Sequence, residues 1–159
     1  MTRLRKVLTG GLVAPWFALL LMPLNGAVAN DLPRDPVVLV DTIRVAIETK
    51  DYETLQRLVL WKDTGKIKKR IVRFHLNRNL GRPIKSIEFE PFPEGGMDGV
   101  FATGKLAPNM EITHQVRVIF DEEPINDAGK LPTSVFLVGL HRDVYRIGLV
   151  NRAGVDDDD

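Results

Sequence analysis

Met110-Glu111-Ile112-Thr113-His114-Gln115-Val116-Arg117-Val118-Ile119-Phe120 alternates apolar and polar residues more cleanly than any other stretch of the chain. Met110, Ile112, His114, Val116, Val118 and Phe120 fall on one side, and Glu111, Thr113, Gln115 and Arg117 on the other. Successive side chains of a strand point to opposite faces, so a period of two predicts a strand with one buried and one wetted face. That is the pattern of an antiparallel sheet. His114 is the one ionisable residue on the apolar side.

Working outward from this strand, Ser134 to Leu140 is apolar on both faces, which predicts a central strand. His141-Arg142-Asp143-Val144 reads as a reversal, and Tyr145 to Val150 as the returning strand, with Tyr145, Ile147 and Leu149 on one face. On the N-terminal side, Ile84 to Phe89 predicts a strand with Ile87 and Phe89 inward. Between them lie a Pro- and Gly-containing loop from Pro91 to Gly96, a short strand over Gly99 to Thr103, and a turn at Ala107-Pro108-Asn109. Asp121 to Pro132 is an acidic loop.

Before Pro83 the apolar period is helical. Asp35-Pro36 combines a capping side chain with a residue pre-set for the first helical position, so a helix should run from about Pro36 to Lys50. Asp51 caps a second, short helix that buries Leu55, Leu58 and Val59. A third helix is predicted from Lys66 to Leu80 and stopped by Gly81. It has two apolar stripes, Ile67-Ile71-Phe74 and Val72-Leu76-Leu80, which predicts contact with the body on two sides. Helices first and antiparallel strands afterwards make an α+β fold, with the helices packed on one face of a curved sheet and a hollow between the layers.

The extreme N-terminus carries Arg3, Arg5 and Lys6, then an apolar run from Leu12 to Leu24, then Ala27-Val28-Ala29. This is the layout of a cleavable secretory signal peptide over residues 1–29, with a single domain over 30–151 and a disordered acidic tail over 152–159. The chain has 22 Lys and Arg against 21 Asp and Glu. The leader holds three of the bases and no acid, so the remainder carries 19 against 21, a formal charge of −2. That balance gives no case for nucleic acid as a partner. The absence of Cys excludes disulfides, thiolate metal sites and a Cys nucleophile. Export of a Cys-free chain points to a bacterial periplasm.

The helix over Asp35–Lys50 runs into Lys50-Asp51-Tyr52-Glu53-Thr54-Leu55. A third helix and the strand Ile84-Lys85-Ser86-Ile87-Glu88 follow. The hairpin Phe136-Leu137-Val138-Gly139-Leu140 and Val144-Tyr145-Arg146-Ile147-Gly148-Leu149 closes the chain. In this order the chain resembles the nuclear transport factor 2-like superfamily, and most of all its small exported bacterial members of unknown role. The resemblance extends over roughly Asp35 to Asn151 and rests on layout and short phrases. It implies a cone-shaped α+β fold. The superfamily includes isomerases, dehydratases, ligand-binding modules and interaction domains, so the resemblance implies no single activity. No catalytic residue is carried over.

Among single residues, His114 is a candidate pocket base or ligand contact, or alternatively a core histidine bonded to backbone or water. Tyr145 and Trp61 are candidates to line a pocket, with core packing as the other reading. Lys66, Lys68, Lys69, Arg70 and Arg73 form a basic helix face for an anionic lipid, a glycan or an acidic partner, or simply a solvated face. The three His residues lack metal-ligand spacing, so neither a metal site nor a cofactor is expected. Three functional readings follow. The first is a non-catalytic exported module that binds a protein or small-molecule partner. The second is an isomerase- or dehydratase-type enzyme using His114 with Asp98 or Asp143. The third is a subunit that forms a homodimer through its sheet face.

Overall fold

A computed structural model describes residues 31–96 and 98–153. The expected signal peptide over 1–29, and all but Arg152 and Ala153 of the expected tail over 152–159, lie outside the described residues. The elements in chain order are α1 (Pro36–Glu48), α2 (Tyr52–Leu58), α3 (Lys66–Asn79), β1 (Ile84–Pro91), α4 (Asp98–Phe101), β2 (Leu106–Pro108), β3 (His114–Phe120), β4 (Thr133–His141), β5 (Val144–Ile147) and β6 (Val150–Arg152). The fold is α+β. Three helices precede an antiparallel four-stranded sheet of order β1-β3-β4-β5, and β2 pairs with β6 in a separate ribbon.

Both aspartates expected to cap helices do so. The Asp35 carboxylate accepts from the Val37 N–H at 2.7 Å. Asp51 accepts from the Thr54 N–H at 3.0 Å, and the Thr54 hydroxyl and N–H hold its carboxyl below the usual range. Gly81 ends α3 with φ +72°, where a side chain would be strained. The core lies between α1, α2 and the inner face of the sheet. Leu39, Ile43 and Ile47 of α1 meet Val116, Val118 and Phe120 of β3, all without solvent exposure.

Several elements differ from the sequence reading. Gly99 to Thr103 is not a strand. The Ala102 N–H bonds the Asp98 carbonyl at 2.7 Å, so these residues satisfy their backbone locally in the short turn α4. Ala107 and Pro108 belong to β2, whose partner is β6. The alternation over Met110 to Phe120 becomes a strand only from His114. Upstream of it the chain crosses the sheet where Gly139 and Gly148 leave room. A Cβ at Gly139 would run into the Glu111 carbonyl oxygen, and one at Gly148 into the Ile112 side chain. The polar face of β3 is also drier than expected: Gln115 is buried and donates to Glu90 at 2.8 Å. Arg117 forks onto the same carboxylate (Nη2 at 2.9 Å), and these bonds, Arg117 first, hold Glu90 down to about 2.

The returning strand is interrupted. β5 ends at Ile147, and after Gly148 and Leu149 the chain leaves the main sheet to form β6 with β2. Arg152, placed by the sequence reading in the disordered tail, is the last residue of β6. β4 is therefore central along only part of its length. β3 pairs with Thr133 to Val138, whereas β5 pairs only with Val138 to His141.

Candidate functional site

α3 is fastened at both ends. At its C-terminal end the Asn79 side chain is buried and accepts from Ser134 Oγ at 2.9 Å. Just beyond it, Gly81 N–H bonds the Ile47 carbonyl at 2.7 Å. Arg82 lies 3.7 Å above the Phe120 ring and forks onto Glu122 with two bonds of 2.7 Å. Before its N-terminal end, Asn109 Nδ2 donates to the Leu60 carbonyl at 2.6 Å and to the Lys62 carbonyl at 3.1 Å. Asn109 Oδ1 meanwhile accepts from the Leu149 N–H at 2.9 Å, so one side chain joins the α2–α3 connection to the sheet. Asn151 adds a 2.6 Å bond to the Asp63 carbonyl.

Between these fastenings the helix stands off the sheet. Only the Val72-Leu76-Leu80 stripe packs on the core. The expected second contact does not form: Ile67, Ile71 and Phe74 are 56%, 46% and 59% exposed. The gap is a trough of about 480 Å³ with Ile71, Val72 and His75 on its helix wall and Phe136, Leu149 and Val150 opposite. A smaller continuation of about 290 Å³ shares Lys68, Ile71 and Val150 and runs on to Ile67, Leu106 and Arg152. Lys68 and Arg152 supply cations, and no Asp or Glu lines either stretch. Lys68, Lys69 and Arg70 have no ion-pair partner among the described residues.

The trough also opens onto the side of a strand. Phe120 N–H bonds the Pro132 carbonyl at 2.9 Å, and the β3–β4 register is unbroken from there to Val138. Alternation by two then turns the backbone groups of Ser134 and Phe136 toward β3 and those of Thr133, Val135 and Leu137 away from it. Gly148 N–H takes the Leu137 carbonyl at 2.8 Å. Val135 has no backbone partner on that side among the described residues. All five residues from Thr133 to Leu137 line the trough, as they must where a strand is seen edge-on.

His114 and Tyr145, two of the residues singled out from sequence, come together elsewhere. The His114 ring stacks on Phe89 with centroids 4.4 Å apart, and Phe89 meets Tyr145 edge-on at 5.6 Å. His114 is half-buried, and its Nδ1 lies 2.9 Å from Thr113 Oγ1, its one hydrogen-bond partner among the described residues. Among the described residues, no carboxylate hydrogen-bonds to it. Asp143 sits in the β4–β5 reversal with φ +62°. Asp98 lines a pocket of about 280 Å³ with Phe92, Ile112 and Leu137, on the opposite face of the sheet. Trp61 is a packing residue of the α2–α3 connection: its Nε1 donates to the Gln56 carbonyl at 3.0 Å, and Arg73 stacks over its ring at 5.7 Å. Lys66, Arg70 and Arg73 are exposed along α3, with Lys68 and Lys69 half-buried.

Sequence reasoning missed the strand edge and the Asn109 clip. A signal for the edge was present. Gly148 interrupts the returning strand, so a nine-residue β4 faces a four-residue β5. Asn109 left no such signal, because its partners lie 40 to 49 residues away in sequence.

Arg146 is a partly buried cation of the sheet. Its Nη2 donates to the Val59 carbonyl at 2.7 Å, and Nε is buried without a partner among the described residues. Desolvation pushes its pKa down. Its bond locks the end of α2 to β5, beside the bridge between Val59 and Ile147. Among the described residues, no three His, Asp or Glu side chains gather as metal ligands. No helix among the described residues is long and apolar enough to cross a membrane. No family model, no curated protein and no solved structure matches the chain.

Proposed function

We propose that the chain is an exported, non-catalytic binding module that takes an extended ligand into the trough between α3 and the edge of β4. The observation that carries this reading is a helix fastened at both ends and held away from the sheet in the middle. The resulting space is within the usual range of ligand sites, about 300–1,000 Å³. Its lining is mainly apolar, with Lys68 and Arg152 as the charged groups. The order of three helices followed by an antiparallel sheet supports assigning the fold to the cone of the nuclear transport factor 2-like superfamily. The leader over residues 1–29 supports export to a bacterial periplasm, and the intact mass of the protein recovered from bacterial expression reads out cleavage before Asn30.

The acid–base alternative has less behind it. His114 stacks on Phe89 and bonds Thr113, with neither Asp98 nor Asp143 hydrogen-bonded to it among the described residues. Nor does any observation favour a homodimer through the sheet face.

The Cys-free background makes the test direct. An environment-sensitive fluorophore is placed on Ile71→Cys in the trough and, as a control, on Ile125→Cys in the β3–β4 loop. The full chain is expressed and the purified protein is titrated with two probes: palmitate, and a heptapeptide alternating valine and aspartate. A saturable response to either probe at position 71 and none at 125 is the expected result. Equal responses at both positions, or none at 71, would sink the reading.

A further inference from the structure

We infer that the occupant of the trough is an extended, acidic peptide segment of a partner protein, added as a strand to the open edge of β4. This rests on the binding-module reading and specifies it. The edge from Thr133 to Leu137 spans about 13 Å, four rises of a strand, and of its outward groups the Leu137 carbonyl is already taken by the Gly148 N–H. Strand edges with free backbone groups are templates for pairing, and proteins generally cover or charge them. Here the edge is neither covered by a strand nor charged: its residues are Thr133, Ser134, Val135, Phe136 and Leu137. α3 stands beside it as a second wall and leaves a channel rather than a seal. A main chain entering that channel can donate to the Val135 carbonyl and accept from the Val135 N–H. An acyl chain offers neither group.

The walls set what the alternate side chains of such a strand should be. Ile71 and Val72 on the helix wall and Leu149 opposite them take apolar residues. Toward the mouth stand Lys68 and Arg152, with no carboxylate in the lining to compete. Main-chain pairing gives the affinity, and the alternating pockets give the selectivity for apolar and acidic residues at every second position. Like charges brought into the same channel are repelled.

The test uses the purified full-chain product and a fluorescein-labelled heptapeptide alternating valine and aspartate, with its valine–lysine counterpart and palmitate as comparisons. The acidic peptide binds at least tenfold more tightly than the basic one, and its binding weakens as salt is raised. Val135→Pro removes the edge N–H and lowers peptide affinity at least tenfold. Proline is tolerated where a strand N–H faces away from its sheet, and the unchanged melting temperature checks this. Lys68→Glu weakens the peptide by several fold. A readout that needs no variant is amide exchange: the Val135 amide gains at least tenfold protection on peptide binding. Peptide affinity untouched by Val135→Pro, together with an unprotected Val135 amide, would overturn strand addition and leave the trough as a binding site. Palmitate binding with no peptide binding would likewise overturn it in favour of a lipid-type ligand. Failure of both probes would remove the binding-module reading as well.

Discussion

α1 and α3 are of nearly equal length, 13 and 14 residues, and both show an apolar stripe at helical spacing, yet they do opposite things. α1 lays Leu39, Ile43, Ala46 and Ile47 against the inner face of the sheet and is sealed there. α3 buries only Leu76 and Asn79 within its length and leaves Ile67, Ile71 and Phe74 in solvent. The difference is in what stands opposite. α1 meets the broad face formed by β1 and β3, whereas α3 meets the place where β5 has ended and β4 has an edge. A face can absorb a helix stripe by area, and each fully buried aliphatic side chain contributes roughly 1.5–3 kcal/mol. An edge cannot, because its main exposed groups are peptide N–H and C=O. α1 is thus a structural element, and α3 is one wall of a site.

The comparison breaks most readily at paired substitutions. Ile43→Ala in α1 should destabilise by about 2–5 kcal/mol, because the sealed site keeps the cavity. Ile71→Ala in α3 should stay within about 0.5 kcal/mol, as for surface positions. Denaturant midpoints of the two variants measure both, and a large loss at Ile71 would mean that α3 is packed after all. Next in size is Asn109→Ala, which leaves the Leu60 and Lys62 carbonyls and the Leu149 N–H to find other partners. It should cost about 1–3 kcal/mol. It should also speed hydrogen exchange in the N-terminal half of α3 more than in α1. Uniform acceleration of both helices would show that the clip supports the whole fold rather than one end of the trough.

The smallest effect sharpens the other side of the comparison, the sheet on which α1 rests. Glu90 on β1 has its pKa depressed from 4.5 to about 2, chiefly by Arg117 and then by Gln115. A depressed carboxylate contributes stability that is present above its unfolded value and lost as the folded pKa is approached from above. The melting temperature should therefore drop by a few degrees between about pH 4.5 and 2, and Glu90→Gln should flatten that part of the curve. The pair is partly exposed, so solvent and salt screen it and the effect stays modest. An unchanged slope in Glu90→Gln would assign the acid sensitivity to other carboxylates, such as Asp51 or Glu122, whose pKa values are also lowered.

Legibility in the sequence followed the range of the interactions. Asp35 and Asp51 were readable as caps because a cap acts over two or three residues. The inward set Val116, Val118 and Phe120 was readable because strand alternation is local. Met110 and Ile112 continue the same alternation and were misread as strand. What ends β3 at His114 is the crossing over Gly139 and Gly148, which lie far along the chain. Of the candidate residues, Lys68 lines the trough, His114 and Tyr145 meet around Phe89, and Trp61 packs under Arg73.

The amino-acid order by itself determined the α+β class, the starts of α1 and α2, the stop of α3 at Gly81 and the inward face of β3. These follow from propensity, capping and periodicity, which act within a few residues. Only the tertiary structure decided that the Ile67-Ile71-Phe74 stripe stays open, that β4 keeps a free edge and that Asn109 ties α3 to the sheet. Each of those depends on which segments meet across the fold, and a stripe or a strand is buried only if a partner surface arrives to cover it.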